Sequence, residues 1–302
     1  MNGFDDRLLS VTFGVGQDKF HTYDQNFNLK VNVQKDILGK SNTATIELMN
    51  ISEDDRNFLV GGFSAWRKRK FGTPFVPVEV MLGRESTGLE KSVYLGCVVQ
   101  SSMSMPPDIN VTIHCTTSQN AKLDLSAEIP HKGTLKSISE WAAKLLRLDL
   151  SFHAADQRII TSPQKLWSIE ALPGMLNWMF AATTAIYIDD NKLVVRDLDK
   201  ALNGNPIKVD VTSGLVGIPA LTEWGVNFTA MADRNIPLSS AVELASIKNP
   251  SSVVLYLPVP AFATSVALFC ASSVKPPAVP KEVSKQPSSL AGSLVLTEFN
   301  QT

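Results

Sequence analysis

The run Ser213-Gly214-Leu215-Val216-Gly217-Ile218-Pro219-Ala220-Leu221-Thr222-Glu223-Trp224-Gly225-Val226-Asn227-Phe228-Thr229-Ala230 constrains the fold more than any other stretch of the chain. Glycine and proline punctuate its start, and apolar and polar residues alternate after them. Leu221, Glu223, Gly225, Asn227 and Thr229 share one face, while Thr222, Trp224, Val226 and Phe228 share the other. A period of two with large aromatics on one side reads as a half-buried strand. Because a helix-rich section precedes it, the chain returns to β structure late. The expected order is therefore β, then α/β, then β.

Residues 1–120 read as β throughout, and form the first expected domain. The candidate strands are Leu8–Phe13, Asn28–Val33, Thr43–Met49, Val76–Leu82, Lys91–Ser101 and Asn110–Cys115. Gly14-Val15-Gly16, Leu38 to Asn42 and Met105-Pro106-Pro107-Asp108 supply turns. Short strands at this spacing suggest a barrel or a sandwich. One helix interrupts them, with Ser52 as N-cap, Asp55 three residues on, and Phe58 and Leu59 on its apolar side.

Residues 121–205 change character and form an expected α/β domain. Leu135, Ile138, Trp141, Ala142, Leu145 and Leu146 recur at intervals of three and four, which marks an amphipathic helix capped by Thr134. Leu148 to His153 then alternates as a strand. A second helix is expected over Ser168–Ala182, leading into Ala185–Ile188, a turn at Asp189-Asp190-Asn191-Lys192, and Leu193–Arg196. Two helix–strand units in succession read as an internal duplication, or as a common local order repeated by chance.

Residues 206–275 form the second expected β domain. No charged residue occurs from Asn249 to Val274, a length that could cross a bilayer. Pro250, Pro258 and Pro260 argue against a helix there. Val253–Leu257 and Ser265–Phe269 instead read as two apolar strands around a Val-Pro-Ala bend. Lys275 to Lys281 is a Pro-rich, extended linker, and Leu290 to Phe299 reads as a last strand that closes its own unit or adds to a neighbour's sheet.

Composition sharpens the class. Of 302 residues only 19% are charged and 44% are hydrophobic, a lean polar surface that points to burial against partners. The formal net charge of −1 supplies no field favouring nucleic acid or an anionic membrane. Cys97, Cys115 and Cys270 are widely spaced and lack a CxxC pair, so neither a disulfide framework nor a zinc site is indicated. They read as buried thiols of a protein made in a reducing cytoplasm. The start, Met1 to Arg7, is acidic and has no apolar signal core.

No catalytic, metal-binding or cofactor-binding pattern emerges. His21, His114, His131 and His153 show no paired ligand spacing, and adjacent His114 and Cys115 on a strand face opposite ways. No G-x-S-x-G elbow or phosphate-binding glycine loop occurs. Glu53-Asp54-Asp55 suits the first turn of a helix, and Asp189-Asp190 suits a hairpin turn. One basic run, Trp66-Arg67-Lys68-Arg69-Lys70-Phe71, could contact an acidic protein surface or phosphates, or lie solvated. Trp224, Phe228, Tyr256 and Phe262 are candidate core or interface anchors.

In order along the chain, several motifs resemble those of baseplate hub proteins of tailed bacteriophages, of the contractile-tail, Mu-like kind. They are Leu9–Phe13; Asn42–Met49 running into Asn50-Ile51-Ser52; a short helix from Arg56 to Leu59; Val76–Gly83; Tyr94–Val99; and Val111–Cys115. Ser213–Val226 is similar to the family's entry into its second β domain. The resemblance implies an α+β fold, two β-barrel-like domains flanking a small α/β domain. It also implies a homotrimeric ring whose domains alternate to join a sixfold tail tube to a threefold central spike. Tube or tube-initiator proteins, a spike protein and a tape measure protein would be its partners. Viral DNA would pass only in transit, no membrane would be involved, and the part would sit in the virion tail after assembly in the host cytoplasm. The apolar, proline-rich chain from Asn249 onward departs from that pattern. The alternatives are the hub of a related contractile injection or type VI-like device, a tail-tip cell-wall hydrolase, which needs two carboxylates roughly 5 to 9.5 Å apart, and a carbohydrate-binding β module.

Overall fold

The computed structural model describes residues 6–14, 20–24, 26–35, 37, 41–49, 51–63, 76–105, 109–117, 132–155, 159–161, 176, 183–198, 200–222, 225–231, 236–245, 253–255 and 264–269. Among them the chain is mostly sheet, with two helices long enough to name, an α+β arrangement.

The first strands are β1 (Arg7–Gly14), β2 (Phe20–Tyr23), β3 (Asn28–Lys35), β4 (Thr43–Met49), β5 (Pro77–Arg84), β6 (Gly88–Met103) and β7 (Asn110–Thr116). Alternation decides their faces. Leu29, Val31 and Val33 of β3 are buried while Asn28, Asn32 and Gln34 are exposed, and Ala44, Ile46 and Leu48 repeat the pattern on β4. With β18 (Thr264–Phe269) they form one eight-stranded sheet in the order β18-β3-β4-β7-β6-β5-β1-β2, antiparallel at every pairing. α1 (Glu53–Gly62) packs on this sheet. Ser52 caps it by accepting a hydrogen bond from the Asp55 amide, and Leu59 and Phe63 enter the core beside Phe13. Edge strand β2 is tied to the helix by Tyr23 Oη donating to Asp55 at 3.0 Å, and by His21 stacked on Phe58 at 4.3 Å.

The barrel expected from the strand spacing is not closed among the described residues. β2 and β18 end the sheet on opposite sides and do not pair with each other. β18 falls within 206–275, the span read as a separate β domain, yet it belongs to this first sheet.

The middle of the chain carries β8 (Lys132–Thr134), α2 (Leu135–Leu146), β9 (Asp149–His153), β10 (Ile159–Thr161), β11 (Thr184–Asp189) and β12 (Lys192–Asp197). Thr134 caps α2 by accepting from the Ser137 amide, and left-handed Arg147 ends it. β11 and β12 form an antiparallel hairpin, and β9 adds parallel to β12. Both hairpin strands are buried on both faces. Ile186, Ile188, Leu193 and Val195 meet α2 through Ile138, Ala142 and Leu146, while Ala185, Tyr187 and Val194 meet Leu238 on the other side. Of the second expected helix only Leu176 is described; it is helical and buried in the α2 cluster.

Beyond it lie β13 (Ile207–Val209), β14 (Leu215–Thr222), β15 (Gly225–Ala230), β16 (Val242–Leu244) and β17 (Val253–Leu255). β13 pairs parallel with β16, which pairs antiparallel with β17. The run read as one alternating strand is instead a hairpin, β14 against β15, with Thr222 opposite Gly225. The glycine and proline punctuation falls inside β14 as a register shift between Val216 and Ala220, where Gly217 holds a φ of 74°. The two apolar runs read as neighbouring strands, 253–257 and 265–269, enter different sheets. No helix of the described residues is long and apolar enough to cross a membrane.

Candidate functional site

The tip of the β11–β12 hairpin reaches the first sheet and is clamped there. Lys35, at the end of β3, donates to Asp189 Oδ1 at 2.7 Å and to the Asp190 carboxylate at 3.0 and 3.1 Å. The Leu95 amide of β6 donates to Asp190 at 3.1 Å. Asn42, fully buried, donates its side-chain amide to the Ile188 carbonyl at 3.1 Å and to Asp189 at 3.3 Å, while its backbone amide donates to Thr117 Oγ1 at 3.1 Å. Asp190 takes a left-handed φ of 50°, which the turn requires and Asp tolerates.

Charge balance explains how the cluster is held. Burial alone would lower the Lys35 pKa, but the Asp189 and Asp190 carboxylates outweigh it and raise it, so the ammonium stays charged. Burial pushes Asp190 up, and the neighbouring Asp189 adds to that, against the opposing pull of Lys35. One cation is shared by two carboxylates. A lysine held protonated in this way is a tie and not a nucleophile.

The middle and the open end of the same hairpin are anchored to the chain beyond it. Tyr187 Oη donates to Ser239 Oγ at 2.8 Å, and burial pushes the Tyr187 pKa up to about 12. Ser239 is left-handed at φ 64°. Buried Arg196 donates to the carbonyls of Asp197 and Lys200 at 3.0 and 2.8 Å, and Asp197 accepts from the Ala155 amide at 3.0 Å and from Lys200 at 2.7 Å. Asn203 brackets Ala241 through both its backbone groups at 2.6 and 3.1 Å. The mixed unit is thereby fastened at two places.

The surface carries apolar side chains at two kinds of position. Phe20, on outermost strand β2, is 67% exposed. Val211, Ile218 and Met231 around the β14–β15 hairpin are 57%, 57% and 42% exposed. An edge strand and a small hairpin with bare apolar side chains are features that assemblies cover.

Of the basic run and the candidate core or interface anchors, Phe228 is the one described. It is buried with Val209, Leu215, Ala230, Val242 and Leu244, so it serves the core. Trp66, Arg67, Lys68, Arg69, Lys70, Trp224, Tyr256 and Phe262 lie outside the described residues. Asp55 is occupied by Ser52 and Tyr23, and the Asp189–Asp190 pair by Lys35 and Asn42. His114 is exposed and Cys115 buried, as their strand position requires. Among the described residues no group of His, Cys, Asp and Glu could hold a metal ion. Sequence reasoning missed Lys35 and Asn42. The one available signal was a pair of adjacent acids between the apolar runs Ala185–Ile188 and Leu193–Val195, where burial of a carboxylate calls for a cation from elsewhere.

Residues 8–257 match the family model described as baseplate hub gp41, and the chain belongs to that family. Among solved structures it is similar to the 43 kDa tail protein of prophage MuSo2 from Shewanella oneidensis, at 12% identity and a TM-score of 0.43, covering 81% of this chain and 74% of that one. A tail protein of Neisseria meningitidis matches at 13% identity and a TM-score of 0.41, over 67% of this chain and 55% of that chain. The E. coli c3393 protein, a component of the type VI secretion system, matches at 8% identity and a TM-score of 0.47, over 80% and 70%. No curated protein matches the sequence.

Proposed function

We propose that the chain is the hub subunit of a tail baseplate and forms a threefold ring that joins a sixfold tail tube to a central spike. Membership of the baseplate hub family over residues 8–257 carries this reading. The two β regions of each subunit would alternate around the axis, with the mixed unit bracing them. Its partners would be tube proteins, a spike protein and a tape measure protein, with DNA passing through the channel. The role is mechanical: packing and sheet edges hold the ring, and no chemical step is required. An obligate interface of this kind buries on the order of 2,000 Å² or more.

Light scattering on the purified chain tests it. A mass near three times 32.9 kDa, with threefold rings in negative stain, is the expected result. A stable monomer that clears peptidoglycan in a zymogram would overturn it in favour of a hydrolase.

A further inference from the structure

The first sheet ends on a strand that comes from far away. β18 is the only strand of that sheet lying wholly beyond the family-matched residues 8–257. It pairs with β3 over six positions, from Thr264 opposite Lys35 to Phe269 opposite Lys30. No hairpin delivers it there. The preceding strand, β17, belongs to a different sheet with β16, and only residues 256–263 connect the two. The outer edge of β3 is therefore a slot, filled by a segment whose position owes nothing to local chain geometry.

The strand that offers this edge is already built into the sheet on its other side. β3 is paired with β4 along its other side, Leu29, Val31 and Val33 are buried, and Lys35 at its end is locked to Asp189 and Asp190. A preorganised edge binds an incoming strand with little ordering cost of its own. The incoming segment suits it, since no charge occurs anywhere from Asn249 to Val274, and an uncharged strand left unpaired invites aggregation. The same rungs form whether residues 264–269 come from the same chain or from an adjacent copy; only the connection differs. In a closed ring, neighbouring copies present that segment at roughly millimolar effective concentration.

We propose that the outer edge of β3 accepts residues 264–269 of an adjacent copy, so that subunits are braced by exchanged strands. This rests on the ring reading above. Two full-length chains test it when produced together, one carrying Val33→Cys and the other Val266→Cys, each with Cys270→Ser. Directly opposed strand residues lie within disulfide reach. Exchange predicts, after oxidation, a reducible species near twice 32.9 kDa that needs both chains. Absence of that species overturns the proposal, as does linkage only within one chain when both cysteines are placed in it. Val33 is buried, so the pair Asn32→Cys and Ala267→Cys, next in register, repeats the test at more exposed Asn32. Light scattering on the same samples separates the two readings: a trimer without interchain linkage sinks the exchange alone, and a monomer sinks both.

Discussion

The β regions on either side of the mixed unit look alike in sequence and differ in construction. The first builds one continuous sheet, whose described core holds 21 buried residues from Leu9 to Cys115. The other divides its strands between a three-stranded sheet and a hairpin, with six buried residues at their centre among those described. Each buried apolar side chain contributes about 1.5–3 kcal/mol, so the two described cores are unequal. Val211, Ile218 and Met231 stand exposed around the smaller one. The first region buries its apolar side chains in one described cluster, and the other leaves three of them bare.

Substitutions can break or sharpen that contrast. Phe13→Ala removes a fully buried ring packed on Phe63 and Tyr23, and should cost about 3–5 kcal/mol in denaturant titrations. Phe228→Ala in the smaller core should cost less, and equal losses at the two sites would erase the distinction. Lys35→Met strips the shared cation from Asp189 and Asp190 and should cost about 1.5–3 kcal/mol, the worth of hydrogen bonds to charged groups.

That joint also has a pH signature. Lys35 has a folded pKa above its ordinary 10.5, so its contribution is complete below that value and is lost as pH climbs through the folded one. Asp190 is raised above 3.8, so protonating it in acid relieves its crowding with Asp189 and leaves Lys35 bound to Asp189. The gap in stability between wild type and Lys35→Met should therefore close in strong alkali. A gap that widens there would contradict the assignment.

Smaller effects follow elsewhere. A Cβ on Gly96 would stand 2.5 Å from Tyr94 Oη and 2.9 Å from the Thr116 carbonyl, so Gly96→Ala should cost about 1–3 kcal/mol by calorimetry. Thr134→Ala deletes the α2 cap, for about 1 kcal/mol and a lower helical signal on warming. Ile218→Ser should change monomer stability by less than about 0.5 kcal/mol. It should nonetheless weaken self-association in sedimentation if the bare hairpin faces a neighbour.

What was legible in the sequence was what neighbouring residues decide. The strands around Thr43–Met49 and Asn110–Thr116, and the caps at Ser52 and Thr134, follow from alternation and from a hydroxyl placed before an apolar turn. The β14–β15 turn was hidden because Glu223-Trp224 is not a turn-forming pair, and because alternation continues through it. Lys35 and Asp189 lie 154 positions apart, and β18 is more distant still from β3. Such pairings are chosen by the whole fold, and no local pattern carries them.

β6 gives the first sheet a further property. It runs from Gly88 to Met103, pairing with β5 along its first part and with β7 from Cys97 onward; register shifts fall between Val80 and Met81 and between Leu82 and Arg84 against β5, and between Val98 and Gln100 against β7. Tension applied along this strand loads both ladders at once in shear, so their rungs must fail together. Tension across it unzips them one at a time. A pull along the strand should rupture the sheet at a higher force than a sideways peel, which makes its direction the stiff axis of the subunit.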